Sequence, residues 1–282
     1  MLDRPKQLLL TMIRAIFYLY FKSCKIVFKH TSNYNDFFRE NYRLIDEQLD
    51  LNYIDFRFHQ ASIAISHLEH KLSLEYLQKL NKKIIWSNPM PDVRLYMLTH
   101  SGCYYSAVGS IILNHSLGSK FIVPVLPSIL DSLPGKSIKR LEHLGYIVEV
   151  GSIDDHKFLI SMFKAAKKEH NTKIIMFVDL PSSTMSKGSA NQNVYFFNRK
   201  ARLISGHINL ITQASLSYCL VSYNHNPFKT DYIRCTRAYS FSYKCTLDNF
   251  CQTLTNEIQH LIKISPIDWR YLESIEFYFH HH

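Results

Sequence analysis

Residues 94–126 read RLYMLTHSGCYYSAVGSIILNHSLGSKFIVPVL, and this stretch decides the fold class. Arg94–Thr99 is a short apolar run of strand length. The segment after Ser101 reads as a helix to about His115, and Lys120–Leu126 is the next strand. Strand, helix and strand in that order predict a parallel sheet with helical crossovers.

The alternation continues toward the C-terminus. A helix is expected near 134–144, a strand at Tyr146–Val150 and a helix near 155–170. Lys173–Asp179 (KIIMFVD) is a strand ending on an acid, and strand-like runs recur at 193–197, 217–223 and 231–239. Leu247, Phe250, Leu254, Ile258, Leu261 and Ile262 share one face of a helix over 247–262. The predicted class is an α/β sandwich with a largely parallel central sheet.

Toward the N-terminus, Asn88-Pro89-Met90-Pro91 breaks the chain. It separates an α/β core, 91–279, from a helical N-terminal region, 1–90, within a chain read as one domain over 1–282. Helices are expected near 33–50 and 56–82, with Ile63, Ile65, Leu68, Leu72, Leu74 and Leu77 at helical spacing in the second. Residues 8–21 (LLLTMIRAIFYLYF) are apolar but contain Arg14, and fall short of the roughly 20 residues a spanning helix needs. With Lys22, Lys25 and Lys29 following, they read as a helix on a surface, either a bilayer interface or the protein's own core. His280-His281-His282 reads as a purification-tag remnant.

Formal net charge is +10, from 33 Lys and Arg against 23 Asp and Glu. Nucleic acid, an anionic membrane surface and an acidic carrier protein are the partners such a balance admits. No zinc-finger spacing, RNA-binding aromatic pattern or long basic run occurs, so no nucleic-acid partner is expected. The cysteines at 24, 103, 219, 235, 245 and 251 form no C-x-x-C pair, so neither a metal site nor a disulfide framework is expected. No small-residue cleavage site follows the N-terminal apolar run. A cytoplasmic setting is expected, with possible peripheral contact at the inner membrane face.

In such sheets, functional groups collect where strands end and helices begin. Thr99-His100-Ser101-Gly102-Cys103-Tyr104-Tyr105 is one such place, and Val178-Asp179-Leu180-Pro181 is another. A histidine at a strand exit, titrating near neutrality, suits a general base. A locally bonded structural histidine is the plain alternative. Cys103, near a helix N-terminus, could be a thiolate nucleophile or a small packing residue. Asp179 is either a site acid or a strand-end cap. Arg140 either binds an anionic group or is simply solvated.

Thr99–Tyr105 resembles the His-x4-acid signature of glycerolipid and lipid A acyltransferases, usually HFGNWE. His100 falls on the family histidine and Gly102 on its glycine, while Tyr105 stands where the family has Glu or Asp. Phe177-Val178-Asp179 is similar to the family's Asp-bearing strand end. Val194-Tyr195-Phe196-Phe197-Asn198, then Ala201 and Ser205-Gly206, resembles its two phenylalanines, loop and Ser/Thr-Gly helix start. Ile264-Ser265-Pro266-Ile267-Asp268-Trp269 resembles its Pro-x-x-Trp/Tyr segment. Together these span residues 93–275.

The resemblance implies an acyltransferase-type fold and transfer of an acyl group from acyl carrier protein or coenzyme A to a hydroxyl or amine. The thioester is a co-substrate, so no cofactor is implied. His100 would be the base, with Tyr105 as its unusual partner and Asp179 or Asp131 as a replacement carboxylate. Ser101, Gly102, Cys103, Arg140, Ser205 and Gly206 would contact substrate. A phenol titrates near 10 and carries no charge at neutral pH, so Tyr105 could orient His100 without stabilising its protonated form. An amine acceptor, needing less help from the base, fits that loss. A degenerate acyl- or carrier-binding homologue and a thioester hydrolase are the competing expectations.

Overall fold

The computed structural model describes residues 39–40, 42–45, 53–72, 74–181, 191–226, 230–241 and 245–279, with Met12, Ala15, Ile16, Leu19 and Tyr20. The expectations for residues 8–21, 33–50 and 280–282 lie largely or wholly outside the described residues. Two helices, α1 (Tyr53–Leu72) and α2 (Leu74–Asn81), precede the sheet.

The sheet strands are β1 (Ile85–Trp86), β2 (Leu95–Leu98), β3 (Lys120–Val125), β4 (Ile147–Ser152), β5 (Thr172–Phe177), β8 (Tyr218–Asn224) and β9 (Tyr232–Cys235). Between β5 and β8 lies a separate antiparallel hairpin, β6 (Asn191–Phe196) and β7 (Arg199–Ile204). The seven-stranded sheet runs β1-β9-β8-β2-β5-β3-β4, and only the β8–β9 pair is antiparallel. The protein is therefore mixed α/β with a mostly parallel central sheet.

The helices within the sheet region are α3 (Tyr104–Leu113), α4 (Pro127–Leu130), α5 (Leu133–Lys139), α6 (His156–Lys168), α7 (Gly206–Gln213) and α8 (Leu247–Ile264). All four residues of β2 are buried, because helices cover both faces of its strand. Leu95 and Met97 join a cluster with Met162 and Ala166 of α6, Ile208 of α7, and Leu254 and Ile258 of α8. Tyr96 and Leu98 join the opposite cluster with Ile63 of α1, Leu77 of α2 and Ala107, Val108 and Ile111 of α3. Two cores thus sit on the two faces of one sheet, and the period-two alternation of β2 feeds both.

Local chemistry sets several boundaries. Asp155 caps α6 by accepting from the backbone N–H groups of Lys157 and Phe158. Thr246 caps α8 through the Asn249 N–H. Gly145, at φ 94°, ends a 3-10 turn over Arg140–Leu144 and turns the chain into β4.

Three expectations are corrected. The helix near 134–144 is the short α5 followed by that 3-10 turn. The strand over 231–239 stops at Cys235, and Tyr239 adds only an isolated bridge to Tyr218. The loop expected around Ala201 is strand β7. Phe197 and Asn198, at φ 47° and 61°, form the two-residue turn between Phe196 and Arg199. Arg199, Lys200 and Arg202 hide this strand in the sequence, the latter two because they sit on its exposed face.

The topology places the site. After β2 the chain runs through α3 to β3, which lies beyond β5. It returns through β4 and α6 to fill the gap with β5, then crosses to β8 on the other flank of β2. The exits of β2 and β5 are therefore neighbours where the winding reverses, and a crevice opens at such a point.

Candidate active site

The β2–β5 register pairs Leu95 with Ile174 and Leu98 with Phe177. Continuing that register two residues past the ladder brings His100 opposite Asp179. The two side chains meet with His100 Nδ1 2.6 Å from Asp179 Oδ1. The His100 backbone N–H also donates to Asp179 Oδ2, at 2.7 Å. A carboxylate can only accept here, so Nδ1 carries the proton and Nε2 is left as the acceptor of the ring.

Asp179 is fully buried, with 0% exposure. Burying a carboxylate is costly unless hydrogen bonds replace its water. Besides the two bonds from His100, the Trp269 indole N–H donates to Oδ2 at 2.9 Å, and the Tyr278 hydroxyl donates to the Asp179 backbone carbonyl. Trp269 reaches the site because residues 268–270 run alongside the loop after β2. The Gly102 N–H donates to the Asp268 carbonyl, Ser101 bridges Trp269, and the Arg270 N–H donates to the His100 carbonyl.

The imidazole is held between aromatic rings. Phe177 stacks on it at 4.3 Å, and Tyr104 and Tyr271 approach edge-on at 5.0 and 5.2 Å. Arg270 Nη1 donates to the Tyr104 hydroxyl at 2.7 Å, and the Tyr105 phenol donates to the same oxygen. Burial raises the Tyr104 phenol above its usual range, and the nearby Arg270 charge works against that rise. Burial, then the neighbouring Tyr104, keeps Tyr105 well above the ordinary phenol range, so it is neutral.

His100 and Tyr105 are the polar side chains of a cleft otherwise lined by apolar groups. Val125, Leu126, Ile129, Ile153, Met176 and Leu180 supply most of its wall, and its volume is about 550 Å³ counted out to the open mouth. The arrangement pairs an oriented imidazole with an apolar cleft. Among the described residues there is no cluster of three or more His, Cys, Asp or Glu able to hold a metal ion. No helix among them is long and apolar enough to cross a membrane.

The sequence-derived site residues divide sharply. His100 and Asp179 are joined directly. Tyr105 shares the cleft with His100, and the carboxylate on Nδ1 belongs to Asp179. Asp131 is exposed at the end of α4. Ser101, Gly102 and Cys103 are buried within the loop after β2 and do not line the cleft. Gly102, at φ 54°, has no room for a Cβ, which would fall 2.5 Å from the Tyr223 carbonyl oxygen. Arg140 is exposed and does not line the cleft. Ser205 lines a smaller neighbouring cavity with His207, and the side-chain position of Gly206 meets open space. Ile204, one residue earlier, reaches the cleft instead.

Sequence reasoning missed Trp269, Tyr278, Tyr104 and Arg270 as members of the site. The tyrosine doublet after Cys103 was a usable signal for Tyr104. Nothing local in the sequence marks a C-terminal indole as the partner of an acid 90 residues earlier.

No protein-family model matches this chain, and a search of curated proteins found no match.

Proposed function

We propose that the protein is an acyltransferase with an acyltransferase-type α/β fold, in which His100 is the general base and Asp179 its carboxylate partner. The observation that carries this reading is the His100–Asp179 pair beside an apolar cleft. His100 Nε2 takes the proton from an acceptor hydroxyl or amine as that atom attacks a thioester carbonyl. The new C–O or C–N bond forms, the C–S bond breaks, and the leaving thiolate takes the proton. Asp179 holds the required tautomer and stabilises the imidazolium, as the aspartate does in serine-protease triads. The cleft takes the acyl chain.

With a carboxylate on Nδ1 the base has full electrostatic support, so the site does not require an amine acceptor. Hydroxyl and amine acceptors both suit it. The net charge of +10 suits an acidic acyl carrier protein, the phosphates of coenzyme A or an anionic inner-membrane face. That chemistry suits a cytoplasmic location with peripheral contact at the inner membrane face.

The test is mass-spectrometric. Wild type and His100→Ala are each incubated with acyl carrier protein or coenzyme A loaded with chains of several lengths, with alcohol and amine acceptors. Transfer by wild type and not by His100→Ala supports the reading. Thioester loss without acylated acceptor would indicate hydrolysis, and equal inertness of the two proteins would count against an enzyme.

A further inference from the structure

A second Asp–His pair lies outside the His100 cleft, and a serine completes it. His225 follows β8 directly and Asp231 directly precedes β9, and the antiparallel register pairs Asn224 with Tyr232. The two ends of this connection therefore face each other, with His225 Nδ1 3.1 Å from Asp231 Oδ1. The Asn226 N–H donates to the same oxygen at 2.8 Å, and the Tyr223 hydroxyl donates to Asp231 Oδ2 at 2.7 Å. Burial pushes the Asp231 carboxyl up, but His225 and these donors outweigh it and hold Asp231 below the usual carboxylate range. Asp231 is thus an acceptor, Nδ1 bears the proton, and Nε2 is the acceptor. Ser62, midway along α1, meets that nitrogen, with Oγ 2.8 Å from His225 Nε2.

We propose that Ser62, His225 and Asp231 form a second, independent nucleophilic site that accepts acyl groups from small activated esters or thioesters. The atoms are those the chemistry needs: a hydroxyl on Nε2, a carboxylate on Nδ1, and a carboxylate fixed by further donors. The side chains of His225 and Asp231 are only 6% and 11% exposed, so the relay is shielded, whereas Ser62 is half-buried. Ser62 Oγ attacks the acyl carbonyl carbon and its proton passes to His225 Nε2. The Oγ–C bond forms, the bond to the leaving alkoxide or thiolate breaks, and that group takes the proton. Water, deprotonated by the same nitrogen, then cleaves the acyl-Ser62 ester and releases a carboxylic acid. This inference does not rest on the role of His100.

The experiment treats the full chain with a fluorophosphonate probe, which phosphonylates activated serines with loss of fluoride, followed by peptide mapping. A single adduct on Ser62 is expected in wild type and equally in His100→Ala. Ser62→Ala should remain unlabelled, and His225→Gln, which cannot take up the proton, should label about 100-fold more slowly. Mapping the wild type identifies the residue whether or not a variant folds, and thermal melting of His225→Gln shows whether its slower labelling reflects chemistry. No adduct, an adduct elsewhere, or unchanged labelling of a folded His225→Gln would overturn the proposal.

Discussion

Trp269 Nε1 and the His100 backbone N–H donate to the same oxygen of Asp179, Oδ2, which leaves Oδ1 to the imidazole. The buried carboxylate is therefore oriented by two fixed donors besides the imidazole. One donor comes from the adjoining strand exit and the other from Trp269, so the segment around Trp269 is part of the site.

Trp269→Phe keeps most of the ring volume and removes one donor from a buried carboxylate. A loss of about 1–3 kcal/mol in folding stability is expected, read as a lower denaturant midpoint at unchanged slope. Acyl transfer should fall as well, because Asp179 can then rotate away from His100.

Asp179→Asn and Tyr105→Phe separate the two candidate partners of His100. The asparagine variant should lose about 10³-fold or more in kcat, since it presents no charge and admits the wrong tautomer. Tyr105→Phe removes only a neutral hydrogen bond to Tyr104 and should stay within about tenfold of wild type. Steady-state kinetics on one acyl thioester decides this, and a Tyr105→Phe variant as damaged as Asp179→Asn would refute the assignment of the partner.

Ile129→Trp places an indole in the cleft wall. Transfer of long acyl chains should fall at least about tenfold while short chains are spared, measured as kcat/KM against chain length. A uniform loss across lengths would show that the chain binds elsewhere.

Gly102→Ala demands a Cβ at positive φ, where the Tyr223 carbonyl blocks it. Strain and overpacking together should cost about 2–5 kcal/mol, visible in chemical denaturation.

His207 is buried beside the smaller cavity, and burial lowers its pKa from 6.5 to about 4. The unfolded chain therefore binds a proton in a window where the folded protein does not. Stability from this group is intact above pH 6.5, declines as pH falls, and is fully lost below about 4. The decline is on the order of 3 kcal/mol. His207→Leu should flatten that part of a stability–pH curve measured by urea melts.

The alternating apolar runs of 94–126 and the KIIMFVD strand carry the α/β class and the parallel sheet, because a strand buried on both faces must be apolar throughout. His100 and Asp179 were legible as candidates for a related reason: each directly follows such a run, and strand exits are where a parallel sheet exposes functional groups. Strand β7 was illegible because Lys200 and Arg202 occupy its exposed face, and with Arg199 at its start they mask the pairing that Phe197 and Asn198 enforce.

What the sequence by itself determined is therefore the layer architecture and the two strand ends where chemistry could sit. Only the tertiary structure decided that those ends are adjacent. Strand order and register are set by how helices from distant parts of the chain pack on both faces, and no local pattern encodes them. That packing gives His100 the carboxylate of Asp179 rather than Tyr105, brings Trp269 onto the same acid, and buries Ser101, Gly102 and Cys103 within the loop after β2. It also sets Ser62 of α1 against His225, which follows β8 and lies 163 residues further along the chain.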